Sequence, residues 1–276
     1  MGKYNHTVTD SEVGLTINQI LKANFKFSSR FKTKIKFQKL VDLNGSPSPG
    51  FIKPAYGDII SIRLPEETSD FPAEDIPINV LYEDEDLMFI NKQPGVIVHP
   101  TKGHPFHTIA NGLMKYMQDN KQSYKIRFAN RIDMDTSGIV IVAKNANSQH
   151  DISRQMLTNT VHKQYITIVN GVIDEDEITI DKPIGRPNEE SIKRTVLAEG
   201  GKDAITDVKV LERFDNHTLV EVTLHTGRTH QIRVHLTYIG HPITGDHLYG
   251  GDSPELMNRQ ALHAAKMVLK HPMTSE

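Results

Sequence analysis

The chain has 276 residues, enough for one or two domains, each with its own core. With 24% charged and 37% apolar residues it has the composition of a folded soluble protein, and the absence of cysteine excludes disulfides, cysteine-ligated zinc and a cysteine nucleophile. The net charge of −2 hides an asymmetry: residues 1–64 carry ten Lys or Arg against four Asp or Glu, a net of +6, and the remainder is left at −8. A basic head on an acidic body is the pattern of an electrostatic docking module.

In chain order, Thr16 is placed to cap a short helix bearing Ile17, Ile20, Leu21 and Phe25. Between Lys22 and Lys39 lie seven cations and no acid, namely Lys22, Lys26, Arg30, Lys32, Lys34, Lys36 and Lys39, interleaved with Phe25, Phe27, Phe31, Ile35 and Phe37. Such a run is either a solvated face or an RNA-docking surface. Asn44-Gly45 signals a tight hairpin and Ile59, Ile60 and Ile62 a short strand, so residues 1–64 read as a small α+β unit. Residues 65–77, with three prolines and five acids, read as an extended acidic linker. Residues 78–276 mix strands and helices without regular β-α-β alternation, which predicts an α+β body.

Three segments of the body have the composition to carry chemistry. In 127–145 the apolar run Ile139–Ala143 predicts a buried strand, with Gly138 as its pivot and the polar stretch Ala129–Ser137 before it. A polar loop on a rigid strand is a mount for reactive groups, and Thr136 and Ser137 can fix the rotamer of Asp133; the same residues also suit an ordinary Asx or ST turn. In 163–171 Tyr165, Thr167 and Val169 share one strand face, where Tyr165 is either a core aromatic or a reactive one. In 218–246 a half-buried strand through Val220, Val222 and Leu224 precedes a helix expected to be N-capped by Thr229 and ended by Gly240 with Pro242. Arg228 and Arg233 then sit at the start of that helix, where its dipole gives cations nothing, which makes sense if they meet an anion. His225, His230 and His235 recur every five residues rather than every three or four, so no metal site is expected from them.

Together these segments resemble the RluA family of RNA pseudouridine synthases. Arg131-Ile132-Asp133-Met134-Asp135-Thr136-Ser137-Gly138 stands where that family has its R-L-D-x-x-T-S-G segment. Lys163-Gln164-Tyr165, the block from Leu224 to His235, Ala261-Leu262-His263-Ala264 and His271-Pro272 follow in the family's order, so the resemblance spans 78–276. Asn130, Ile132, Met134 and Gln93 depart from the usual pattern without removing the acid or its neighbours. The head is similar to a degenerate S4-type RNA-binding module.

The resemblance implies a mixed, largely antiparallel sheet, an S4-like module over 1–64, the linker over 65–77 and a catalytic domain over 78–276. It implies that Asp133 is the nucleophile, that Tyr165 stacks on the uracil and helps move the C5 proton, and that Arg233 pairs with Asp133. Arg131, Thr136, Ser137, Arg228 and His230 are then the expected substrate-binding residues. The expected partner is RNA, ribosomal or transfer, with the target base flipped from its stack; no cofactor, no metal and no membrane are expected, and the reading is a cytoplasmic monomer. Two other readings stand beside it: a glycosyltransferase using Asp133-x-Asp135 on a divalent ion, and a non-catalytic RNA-binding protein acting through its basic head.

Overall fold

The computed structural model describes residues 4–25, 27, 29–101 and 103–274, with the side chain of Arg30 left aside. The chain begins with β1 (Tyr4–Thr7), a 3-10 turn, α1 (Ile17–Asn24), α2 (Ser29–Phe37), β2 (Val41–Leu43), β3 (Ser46–Pro47) and β4 (Ile59–Ile62). Thr16 caps α1 as expected: its hydroxyl accepts the Gln19 backbone N–H at 3.3 Å, and the Gln19 side chain accepts the Thr16 N–H at 2.8 Å. Asn44 and Gly45 both have positive φ, 51° and 83°, which is the geometry of a two-residue hairpin turn between β2 and β3. The four strands pair antiparallel in the order β1-β4-β2-β3. Tyr4, Ile17, Ile20, Phe27, Phe31, Ile35, Ile60 and Ile62 are buried in one cluster against this sheet. The aromatic half of the basic run therefore builds the core of the head, with one exception: Phe37, at the end of α2, is 81% exposed.

Residues 65–77 contain no helix or strand. The segment is nevertheless bound along its length. Glu67 bridges Lys34 of α2, at 2.9 Å, and Arg127 of the body. Asn111 donates to the Pro72 carbonyl at 2.9 Å, and Glu74 takes the His107 N–H at 3.0 Å. Near the C-terminus Met273 packs on the core of the head.

The body comprises β5 (Val80–Glu83), β6 (Leu87–Lys92), α3 (Ile109–Asp119), β7 (Arg127–Phe128), β8 (Ser137–Ala143), α4 (Ala146–Leu157), β9 (His162–Asn170), β10 (Glu177–Asp181), β11 (Ile184–Gly185), β12 (Thr195–Val196), β13 (Ile205–Arg213), β14 (His217–Leu224), α5 (Gln231–Tyr238) and β15 (Leu262–Val268). Its main sheet runs β10-β13-β14-β9-β15-β8-β6-β5, with β7 also on β8. The sheet is antiparallel except at β15–β8, where His263 pairs with Ser137 and Ala264 with Gly138 in parallel. This mixed, largely antiparallel arrangement is the expected fold class. Gly138 makes the parallel join possible: its φ is 111°, and a Cβ there would stand 2.3 Å from the Ala264 carbonyl oxygen. One cluster, with Val220, Val222, Ile232 and Leu236, seats α5 on β9 and β14; another, with Met88, Ile90, Ile109, Leu113 and Val140, seats α3 on β6 and β8. Among the described residues no helix is long and apolar enough to cross a membrane.

One boundary differs from expectation. The N-cap position of α5 is His230, in the left-handed region (φ 59°), one residue after the expected Thr229, and the helix starts at Gln231. The reason is the Gln231 side chain. Its oxygen accepts from the Thr226 hydroxyl at 2.8 Å and the Arg228 N–H at 2.9 Å, and its nitrogen donates to the Ile205 carbonyl at 3.0 Å. These bonds hold 226–230 as a loop, leaving Arg228 outside the helix and Arg233 in its first turn.

Candidate active site

Asp133 sits in the turn that feeds β8, and the turn is closed by the Thr136 N–H donating to the Asp133 carbonyl at 3.2 Å. The turn is also held from below. Lys92, at the end of β6 and 1% exposed, donates from Nζ to the carbonyls of Gln93, Val96 and Met134 at 2.7–2.8 Å. Burial pulls Lys92 down to about 8, against the opposite pull of Asp135 and then Asp133.

The Asp133 side chain is 29% exposed and accepts from Arg233 Nη1 at 2.9 Å. The other side of the guanidinium is engaged too: Nε and Nη2 donate to the two oxygens of Asp246 at 2.7 and 2.8 Å. One planar fork thus serves two carboxylates, a task for which arginine is suited and lysine is not. Burial works against the Arg233 charge, but Asp246 and then Asp133 more than offset it, so its pKa lies above the usual arginine value. Gly245 permits the approach of Asp246: its φ is 77°, and a Cβ would be 2.1 Å from the Arg259 carbonyl oxygen.

His230 Nε2 stands 3.8 Å from Asp133 Oδ2. Its Nδ1 is 2.8 Å from the Tyr249 hydroxyl, whose oxygen accepts the Arg194 backbone N–H at 2.8 Å. That leaves the phenolic proton for Nδ1. Burial first, then the nearby Arg233 and Arg194, push His230 down despite Asp133, so the ring is neutral at pH 7. The tautomer assigned by this network carries its proton on Nε2, facing Asp133. Tyr165, on β9, is buried and pushed up to about 12, by burial and then by the Asp133 charge. It is a neutral phenol at pH 7, able to pass a proton through its hydroxyl but not to rest as a phenolate.

Asp133, Tyr165, Arg233, Arg131, Thr136, Arg228 and His230 line one narrow cavity of about 70 Å³. Seven of the eight residues expected at the site therefore converge. Ser137 does not line the cavity; its hydroxyl pairs with His263 Nδ1 at 2.9 Å across the parallel strand join. Thr136 is buried, and its hydroxyl accepts from Gln260 at 3.2 Å, so it braces the turn. Arg228 donates from Nε to the Asp203 carbonyl at 2.8 Å. The three regularly spaced histidines point to three different places: His225 pairs with Asp207, and His235 is buried between the Thr206 hydroxyl and the Lys182 carbonyl.

Of the seven cations of the basic run, Lys22, Lys32, Lys36 and Lys39 are exposed, while Lys34 is spent on Glu67. Lys26 and the side chain of Arg30 lie outside the described residues. The sequence reading missed Asp246, Tyr249, Gln231 and Lys92 as supports of the site. Their signals were weak: a Gly-Asp turn after an apolar helix, and a lysine closing an otherwise apolar strand. Among the described residues, the one grouping spaced to hold a metal is Asp84, Asp86 and His271, not the Asp133-x-Asp135 pair. Its oxygens are already taken, those of Asp84 by the Asp86 and Leu87 N–H groups and the Tyr82 hydroxyl, and Asp86 Oδ1 by Asn145 and Ser148.

An aspartate in the turn before β8 of a mixed sheet, held by a buried arginine beside a tyrosine in a small cavity, is the arrangement expected of a pseudouridine synthase. Residues 86–238 match the family model described as RNA pseudouridylate synthase, and this chain belongs to that family, whose members are isomerases that convert uridine to pseudouridine in RNA. It is 42% identical over 240 residues to an uncharacterized RNA pseudouridine synthase of Bacillus subtilis, YlyB, covering 86% of this chain and 79% of that one. It is 36% identical over 283 residues to a ribosomal large subunit pseudouridine synthase D of Nitrosomonas europaea, covering 98% and 81%. Among solved structures, human RNA pseudouridylate synthase domain containing 1 superposes with a TM-score of 0.59 at 28% identity, over 74% of this chain and 82% of that one.

Proposed function

We propose that this chain isomerises uridine to pseudouridine in the RNA of the large ribosomal subunit, with Asp133 as the nucleophile. The observation that carries the catalytic part is the Asp133 carboxylate held at 2.9 Å by Arg233 in a cavity walled by Tyr165. The substrate follows from the alignment with the large subunit enzyme, which takes in 98% of this chain and so includes the basic head as well as the body.

The reaction breaks the C1′–N1 bond, turns the uracil and joins C1′ to C5. A carboxylate serves it either by capturing C1′ as the base departs or by adding to C6. In both routes the acid must stay ionised as the RNA closes over it, and Arg233 supplies the compensating charge. The C5 proton is lost last. Tyr165, held as a phenol, lies against the ring as a stacking surface and passes that proton through its hydroxyl. Arg131, Thr136, Arg228 and His230 surround the flipped nucleotide, with the two arginines facing its phosphates. The exposed lysines of the S4-like head bind the RNA at a distance, and the enzyme works as a cytoplasmic monomer.

The test is to incubate purified protein, without added metal, with unmodified large-subunit RNA and separately with transfer RNA, and to map pseudouridine. Site-specific conversion of the ribosomal RNA that is lost in Asp133→Asn is expected. No conversion of either RNA overturns the proposal, and conversion of transfer RNA alone overturns its substrate.

A further inference from the structure

We propose that an unpaired RNA strand leaving the active-site cavity runs along the groove between the head and the body, past Arg131, Lys125 and His99. This rests on the reading of the chain as an RNA-modifying enzyme and specifies the surface that meets the substrate.

Two grooves flank the Lys34–Glu67 bridge, and Phe31, Lys34, Glu67 and Ala146 belong to the walls of both. Their charges are opposite. One, of about 1050 Å³, is walled by five acids, Glu66, Glu67, Glu83, Asp84 and Glu85, against two lysines. The other, of about 1510 Å³, is walled by four cations, Lys34, Lys125, Arg127 and Arg131, against the single acid Glu67. A phosphate backbone is repelled by the first and drawn to the second.

The basic groove is also the one that meets the catalytic cavity. Arg131 lines both, and Asn130 beside it lines the groove three residues before Asp133. A nucleotide next to the flipped uridine on this side therefore enters the groove directly. Its wall offers more than charge. His99 is exposed and stands edge-on to Phe71, at 5.4 Å and 90°, and to Phe128, at 5.9 Å and 74°. Neither phenyl ring is stacked parallel on the exposed imidazole, a disposition suited to stacking an unpaired base. Gln149, His150 and Ser153 of α4 add hydrogen-bonding groups to the same groove. An unpaired strand needs this combination of spaced cations and one aromatic platform.

The test uses the full chain and an unmodified ribosomal RNA fragment, with RNA affinity measured separately from turnover. A Lys125→Glu/His99→Ala double variant removes one phosphate contact and the platform; both residues are exposed, and circular dichroism checks the fold. A Glu66→Gln/Glu85→Gln variant serves as the opposite-face control. The expected result is an affinity loss of about tenfold for the first, with a log–log salt slope flatter by about 0.7 and kcat within twofold, and no change for the second. Wild-type conversion with unchanged affinity and slope in the first variant overturns the groove, as does an effect confined to the second. If the wild type binds RNA through the groove but converts none, the groove stands and the proposed activity falls. A single Lys125→Ala change, expected to show the slope effect alone, decides the matter if the double variant does not fold.

Discussion

Replacing Arg233 by lysine separates the two tasks of that side chain. The guanidinium spends Nε and Nη2 on Asp246 and Nη1 on Asp133. An ammonium is one nitrogen and cannot span both carboxylates. Asp246 is 1% exposed, and a buried carboxylate left without a cation costs about 3–5 kcal/mol. Asp133 keeps water on its open side. The lysine therefore goes to Asp246, and Asp133 loses a charge-assisted hydrogen bond of about 1.5–3 kcal/mol. If that bond is needed to hold the nucleophile, the rate constant for the chemical step falls about 10- to 150-fold. Folding suffers less, because Asp246 stays paired; a loss of about 1 kcal/mol lowers Tm by about 2–4 °C in a chain of this size. The assay is single-turnover pseudouridine formation with enzyme in excess, beside an independent measurement of RNA affinity. A rate within twofold of wild type would refute the reasoning. So would an equal loss of rate constant and affinity, since Arg233 would then be holding RNA rather than the carboxylate.

Lys92→Met leaves three carbonyls without their buried donor, so it should cost about 2–4 kcal/mol in urea unfolding and slow turnover by loosening the Asp133 turn. Lys92 has a second signature: with its pKa brought from 10.5 to about 8 on folding, the unfolded chain binds more protons between those values, so stability should rise from pH 8 to 10.5 more steeply in wild type than in Lys92→Met. His235 is buried and lowered by burial, so the contribution of its neutral form is present above about pH 6.5 and lost as pH falls below it; urea midpoints at pH 7.5 and 5 should differ less in His235→Gln than in wild type, and equal differences would dismiss His235 as an acid-sensitive group. Gly138→Ala drives a methyl group to 2.3 Å from the Ala264 carbonyl oxygen and should cost at least about 3 kcal/mol, seen as loss of soluble protein or of cooperative unfolding; wild-type stability would mean that β8 and β15 part without penalty.

What could be read in the sequence was local. The Thr16 cap, the Asn44-Gly45 turn, the apolar strand Ile139–Ala143 and the alternation along 163–171 and through Val220, Val222 and Leu224 each depend on neighbours within a few residues, and each falls in an observed turn, helix or strand. The roles of Asp133, Arg233 and Tyr165 came through the family resemblance; the residues alone left Asp133 between a reactive group and an ordinary turn, and Tyr165 between a core aromatic and a reactive one. Contacts between distant positions were not legible. The parallel join of β8 to β15 pairs Ser137 with His263, and nothing in either segment announces the other. The start of α5 was misplaced because Gln231 spends its amide on Thr206, Ile205, Thr226 and Arg228, bonds that no capping rule for Thr229 anticipates.

Charge read along the chain is not charge laid out in space, and the acidic segment 65–77 shows why. By sequence it separates a basic head from an acidic body. In the fold its Glu67 is shared between Lys34 of the head and Arg127 of the body, so one carboxylate removes a cation from each side and fixes the position of the head. The remaining acids do not dilute the basic surface evenly. Glu66 joins Glu83, Asp84 and Glu85 on the far side of that bridge, while Lys125 and Arg131 from the body lie on the near side, beside the catalytic turn. A chain of almost zero net charge thereby presents RNA with one attractive groove and one repulsive one. The sum of charges does not describe this surface; the separation of signs across a single ion-paired bridge does.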